Sequence, residues 1–148
     1  MSDRVGACLF VLFAVICGVP IAFAQSDPVS IFRQAIEARN RGDLDGMMQF
    51  FASDAMREDG SCQPPCVGVG AVRRSFEKNI AEHFYATLTS VEGSGGTVTG
   101  RAEIRSDALR AQGVDHRTTS YTIKFRDGKI VSWSSPLPVA PVAAPPKQ

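Results

Sequence analysis

Gly42-Asp43-Leu44-Asp45-Gly46, continued through Phe50-Phe51-Ala52-Ser53-Asp54-Ala55 to Glu58-Asp59-Gly60, decides how the rest of the chain is read. Gly42 is a helix stop, because glycine adopts the left-handed conformation at a helix end without a Cβ penalty. Asp43 caps the next helix by accepting from backbone N–H groups that lack an intrahelical partner. Leu44, Met47, Met48 and Phe51 recur at helical spacing, with the methionines read as core filling rather than metal ligands. Residues 52–54 break that pattern. Residues 55–58 then suit a short strand ending on the carboxylate of Asp59.

Upstream, Asp27-Pro28 is a helix start, since proline has the right fixed φ for the first helical position. Val29, Phe32, Ala35 and Ile36 fall on one face, and the helix runs to about Asn40 or Arg41. The apolar run from Leu9 to Cys17, then Gly18, Pro20 and Ala22-Phe23-Ala24, reads as a secretory signal over residues 1–24 with cleavage after Ala24. The expected location is periplasmic or secreted. Membrane association would arise only if the signal stayed uncleaved.

Downstream, residues 60–67 read as a loop with Pro64-Pro65 between two cysteines. Gly68-Val69-Gly70 opens a third helix, with Val72, Phe76 and Ile80 on its buried face and an end near Glu82-His83. From Phe84 the period changes to two. Strands are expected over 84–89, 97–105, 118–126 and 129–135, with Val131 and Trp133 sharing a face of the last one. Residues 93–96 form a turn, residues 106–115 a polar connection, and Asp127-Gly128 a tight hairpin turn. From Pro136 the chain is rich in Pro and Ala and reads as a disordered tail over 136–148. Helices followed by a meander imply one α+β domain over residues 25–135, in which a strongly curved, mainly antiparallel sheet wraps helices into a cone. Pockets form in the mouths of such folds.

The chain has 148 residues with 16 basic and 15 acidic side chains. A near-neutral chain without a basic stripe has no electrostatic reason to bind nucleic acid. Of the four cysteines, only Cys62 and Cys66 lie outside the signal. An even pair in an oxidising compartment implies a disulfide, and the C-x-x-x-C spacing is not that of a C-x-x-C redox centre.

Arg39-Asn40-Arg41-Gly42-Asp43-Leu44-Asp45-Gly46 with Phe50-Phe51-Ala52-Ser53-Asp54-Ala55 resembles the opening of ketosteroid-isomerase-like and SnoaL-like domains, in the superfamily named for nuclear transport factor two. Val67-Gly68-Val69-Gly70-Ala71-Val72-Arg73 and Phe125-Arg126-Asp127-Gly128-Lys129-Ile130-Val131 are similar to the family's third helix start and last hairpin. The resemblance implies a cystatin-like cone over about residues 28–135. Isomerases of the family use an Asp base, with a Tyr and a protonated Asp as oxyanion donors. Carried over, the base position falls on Asp59, the Tyr position near Ala35, which has no hydroxyl, and the protonated-Asp position near Tyr121.

The candidate catalytic residues are therefore Asp59 as base, Tyr121 as donor, and His83 as a further acid or base if it faces the cavity. Phe32, Met47, Phe51, Phe76, Thr119 and Trp133 are the expected pocket lining. Neither His83 nor His116 has a partner at metal-ligand spacing, so no metal or cofactor is expected. Three readings remain open: a domain binding a small apolar ligand, an isomerase or hydratase acting on a small carbonyl compound, and a cone filled by Phe32, Met47, Phe76 and Trp133 with a purely structural role. A homodimer through the sheet face is compatible with all three.

Overall fold

The computed structural model describes residues 27–136, so the signal and most of the tail lie outside the described residues. Ten elements follow in order: α1 (Pro28–Asn40), α2 (Leu44–Met48), β1 (Phe51–Asp59), β2 (Cys62–Val67), α3 (Val69–Ala81), β3 (Tyr85–Ser94), β4 (Thr97–Arg105), α4 (Asp107–Ala111), β5 (Arg117–Arg126) and β6 (Lys129–Ser134).

The helix signals act as the sequence implies. Asp27 accepts from Ser30 N at 3.2 Å and Pro28 opens α1. At its far end Gly42 has φ +75°, with Gly42 N donating to Arg39 O and Asp43 N to Ala38 O. These two bonds satisfy carbonyls that the helix end leaves free. Asp43 then caps α2 by accepting from Gly46 N at 2.8 Å.

The six strands form one curved sheet in the order β2-β1-β6-β5-β4-β3. The β1–β6 pair is parallel and the others are antiparallel. Helices α1 and α3 pack against it, α1 on β3 and β4 and α3 on β1 and β2. Asn40 joins α1 to β3 by donating to Ala86 O at 2.8 Å and accepting from Ala86 N at 3.1 Å. Gly100 on β4 admits the ring of Phe32, for a Cβ there would lie 3.2 Å from Phe32 Cε1.

Several local expectations change. Phe51 leaves α2 and begins β1, because Ile130 N donates to Phe50 O at 2.8 Å and the β6 ladder captures the chain there. The break at 52–54 is a register irregularity within β1, so that strand is longer than residues 55–58. Residues 62–67 form the edge strand β2 instead of a loop. An edge tolerates Pro64-Pro65, whose missing N–H groups are not needed by a neighbour. In β6 the register slips between Lys124 and Phe125 of its partner, so Ile130 and Trp133, not Val131 and Trp133, are the buried residues. The connection after β4 also contains the short helix α4, capped by Ser106, whose Oγ accepts from Leu109 N.

The core centres on Trp133. Its ring lies 5.3 Å from Phe76, 5.5 Å from Phe32, 5.5 Å from Tyr121 and 5.9 Å from Phe51, centroid to centroid. Met47, Val72, Val98, Ile123 and Ile130 complete the packing.

Candidate functional site

One end of the sheet and helices encloses a cavity of about 190 Å³. The ends of α1, α3, β1, β4 and β6, the start of β5 and the helix α4 surround it. Phe84, Ile104, Leu109 and Trp133 supply apolar wall, and Arg39, Arg57, Asp59, Asn79, Thr119 and Tyr121 supply polar wall.

Arg57 and Asp59 reach the same face because side chains two apart on a strand point the same way. Arg57 is 3% exposed and its hydrogen-bonding capacity is largely used. Its Nε donates to Asp59 Oδ2 at 2.5 Å, Nη1 to Ser75 Oγ at 2.9 Å, and Nη2 to Asn79 Oδ1 at 2.5 Å. Asp59 Oδ1 accepts from Ser61 N at 2.8 Å, and Asn79 Nδ2 donates to Ser61 Oγ at 3.1 Å. The guanidinium also stacks 3.8 Å from the centre of the Phe76 ring. Burial pushes the Arg57 guanidinium down from its ordinary range, and the Asp59 carboxylate beside it pushes back up.

Arg39 stands in a different situation. It follows Phe32, Ala35 and Ile36 on the buried face of α1, at the next helical position of that stripe. It is 2% exposed, yet its Nε and Nη2 have no hydrogen-bond partner among the described residues. Its guanidinium carbon lies 4.7 Å from the Phe84 ring centre and 5.9 Å from that of Trp133. The buried Tyr121 hydroxyl and Trp133 Nε1 also lack partners among the described residues. All three residues line the cavity.

Of the residues singled out in the sequence, Asp59, Tyr121, Thr119 and Trp133 meet at this cavity. Thr119 Oγ1 lies 2.9 Å from Ser135 Oγ. Phe32, Met47, Phe51 and Phe76 pack in the core instead of forming its lining. His83 is 76% exposed on the outside, where Nδ1 lies 2.7 Å from Asp107 Oδ2. It is absent from the cavity wall because α3 ends two residues before it and the chain turns outward through a positive φ of 49°. Cys62 and Cys66 are disulfide-bonded, with Cα atoms 5.2 Å apart, in the strand that follows Asp59.

The model of the SnoaL-like domain matches residues 32–133. The chain belongs to the SnoaL-like domain family. This SnoaL-like domain is similar in fold to several solved structures. A candidate polyketide cyclase, protein SMa1630 from Sinorhizobium meliloti, is 23% identical with a TM-score of 0.64, over 76% of this chain and 99% of that one. A candidate ketosteroid isomerase from Kribbella flavida is 14% identical with a TM-score of 0.65, over 79% and 82%. An uncharacterised cystatin-fold protein from Novosphingobium aromaticivorans is 15% identical with a TM-score of 0.59, over 72% and 95%. No curated protein matches the chain. At these identities the likeness is one of fold, and a shared fold does not carry chemistry with it. Any activity must be argued from the SnoaL-like domain's own side chains.

Sequence reasoning missed four of those side chains: Arg39, Arg57, Ser75 and Asn79. Each occupies a position whose period marks it as buried. Arg57 shares the buried face of β1 with Ala55, while Ser75 and Asn79 share the α3 face of Val72 and Phe76. A polar residue on an apolar stripe was the available signal, because buried polar groups need partners.

Proposed function

We propose that this SnoaL-like domain binds a small molecule in the cavity at the open end of its cone. One observation carries this reading: beside an aromatic core packed around Trp133, there is an open cavity walled by both apolar and polar groups. Its volume of about 190 Å³ is below the roughly 300–1,000 Å³ of drug-sized pockets. It suits a compact ligand with one ring or a short branched chain.

The chain's single tryptophan, Trp133, lies in the cavity wall and reports binding through its fluorescence. Titration with a library of compact neutral and charged compounds should yield binders that change Trp133 emission. Thr119→Phe, which fills the cavity from β5, should remove the response while the chain stays folded by circular dichroism. A library with no binder, or binders that ignore Thr119→Phe, would show that the cavity is not the site.

A second reading is supported by the meeting of Asp59 and Tyr121 at one cavity. In it, Asp59 takes a proton from a small carbonyl compound and Tyr121 donates to the carbonyl oxygen. Both Asp59 oxygens already accept hydrogen bonds from Arg57 and Ser61, which favours binding over turnover. Solvent deuterium exchange into a bound ketone, abolished by Asp59→Asn, would reverse that order.

We further propose that the domain spans residues 25–135 and is exported, a reading supported by the apolar leader and the Cys62–Cys66 bridge. Among the described residues no helix is long and apolar enough to cross a membrane. Mass spectrometry of the exported chain should find a new amino terminus after Ala24. Exposed Met56 and Val67, cross-strand neighbours on β1 and β2, support a homodimer through the sheet, which sedimentation would show as twice the monomer mass.

A further inference from the structure

The two buried arginines use the same chemistry differently. The Nε and Nη2 groups of a guanidinium share one edge, and that edge docks side-on to a carboxylate with two parallel N–H donors. Arg57 turns that edge on one carboxylate oxygen of Asp59, with Nε and Nη2 both 2.5 Å from Oδ2, while Nη2 also donates to Asn79 Oδ1. Arg39 has the same two atoms buried and without a partner among the described residues. A cation removed from water is unfavourable unless an anion or several acceptors compensate it. Stacking on Phe84 covers the face of the guanidinium and leaves its edge unsatisfied. No carboxylate of the chain is salt-bridged to Arg39 among the described residues, and Asp59 is engaged by Arg57.

The neighbouring orphan groups have matching character. Trp133 Nε1 is a donor only and the Tyr121 hydroxyl can donate, so with Nε and Nη2 of Arg39 four buried donor groups without a partner among the described residues belong to side chains of one cavity wall. An ionised carboxylate has two oxygens with about four acceptor sites and no proton to donate. Its single negative charge matches that of Arg39, the one buried arginine without a partner among the described residues. A phosphate dianion would need a second buried cation, whereas Arg57 is spent on Asp59 and the other arginine of the wall, Arg117, is only half-buried. The apolar wall of Ile104, Leu109 and Phe84 completes a site for a carboxylate carrying a small hydrocarbon body.

On the reading that the cavity binds a small molecule, we propose that its ligand is a compact organic monocarboxylate, held by the Nε/Nη2 edge of Arg39 with Tyr121 and Trp133 as further donors. The ligand then supplies to Arg39 what Asp59 supplies to Arg57. This differs from the small apolar ligand implied by the sequence, because the sequence did not reveal that Arg39 is buried in the pocket.

The test uses matched probes that differ in charge and little in shape: benzoate with benzamide, cyclohexanecarboxylate with its amide, and phenyl phosphate. Each is titrated into the purified protein at neutral pH, with Trp133 emission and calorimetry as readouts. Both carboxylates should bind at least tenfold more tightly than their amides. Arg39→Leu should abolish that preference, Arg39→Lys should retain part of it, and Tyr121→Phe should weaken it without reversing it. If Arg39→Leu does not fold, the Arg39 Nε–H resonance of the unaltered chain gives the same answer, moving with benzoate and not with benzamide. Equal binding of acid and amide, a preference that survives Arg39→Leu, or tighter binding of phenyl phosphate would each overturn the carboxylate assignment while leaving the cavity a binding site. No response to any probe or to the wider neutral library would overturn both.

Discussion

Arg57 and Arg39 have nearly equal burial and line the same cavity, yet among the described residues Arg57 has an internal anion and Arg39 has none. Arg57 lies on β1, where Asp59 two residues later presents a carboxylate to the same face and α3 brings Ser75 and Asn79. Arg39 lies at the end of α1, where its guanidinium faces the aromatic rings of Phe84 and Trp133. The difference separates structure from function within one pocket. A buried charge that is fully paired holds elements together, whereas one without an internal partner is costly and is best explained by something it binds.

The comparison breaks most visibly at Arg57. Arg57→Met should lose about 3–5 kcal/mol, because it leaves the Asp59 carboxylate buried without its partner. Urea unfolding measures this, and Arg57→Met combined with Asp59→Leu should recover a large part of the loss. A double variant as unstable as the single one would mean that the pair is not the unit that matters.

Next in size is the bridge behind Asp59. Replacing Cys62 and Cys66 with serine should cost about 2 kcal/mol, the entropy released to the unfolded chain by opening so short a loop. The urea midpoint should fall with the slope nearly unchanged, and an unchanged midpoint would show that β2 is held by its ladder alone.

Arg39→Met should stay within about 1 kcal/mol of the unaltered chain, since the lost stacking on Phe84 is offset by relief of an unpaired buried charge. Carboxylate binding should disappear in the same protein. A stability loss as large as that of Arg57→Met would make the two arginines alike and remove the contrast.

The smallest effect should come from an exposed pair, Asp54 and Arg126, linked at 2.7 and 2.9 Å. The hydrogen bond from Arg126 is the main cause holding the Asp54 carboxyl below its ordinary 3.8. A lowered folded-state value means that the contribution is present above pH 3.8 and is lost as pH falls through the lower folded value. Asp54→Asn should therefore lower the urea midpoint slightly near neutrality and not at all in strong acid. A difference that grows on acidification would contradict this sign.

Much of the fold was legible because its signals are local. The Asp27-Pro28 start, the Gly42-Asp43 junction and the Asp127-Gly128 hairpin each act through bonds spanning a few residues. Half of the site was legible in the same way: Asp59, Thr119 and Tyr121 were placed by strand alternation and by resemblance. Phe51, β2 and the slip in β6 were not, because each depends on a neighbouring strand. Arg39 and Arg57 could be seen only as polar residues on apolar stripes.

The sequence by itself determined where helices start and stop, where the hairpin turns, and that one α+β cone is built. Only the tertiary structure decided which buried cation is satisfied. Ser75 and Asn79 lie 18 and 22 residues from Arg57 along the chain, and they reach it because α3 packs on β1. Caps and turns are set by neighbours in sequence, but pairing of a buried charge is set by which elements fold against it. In this protein that packing brings partners to Arg57 and, among the described residues, leaves the edge of Arg39 without one.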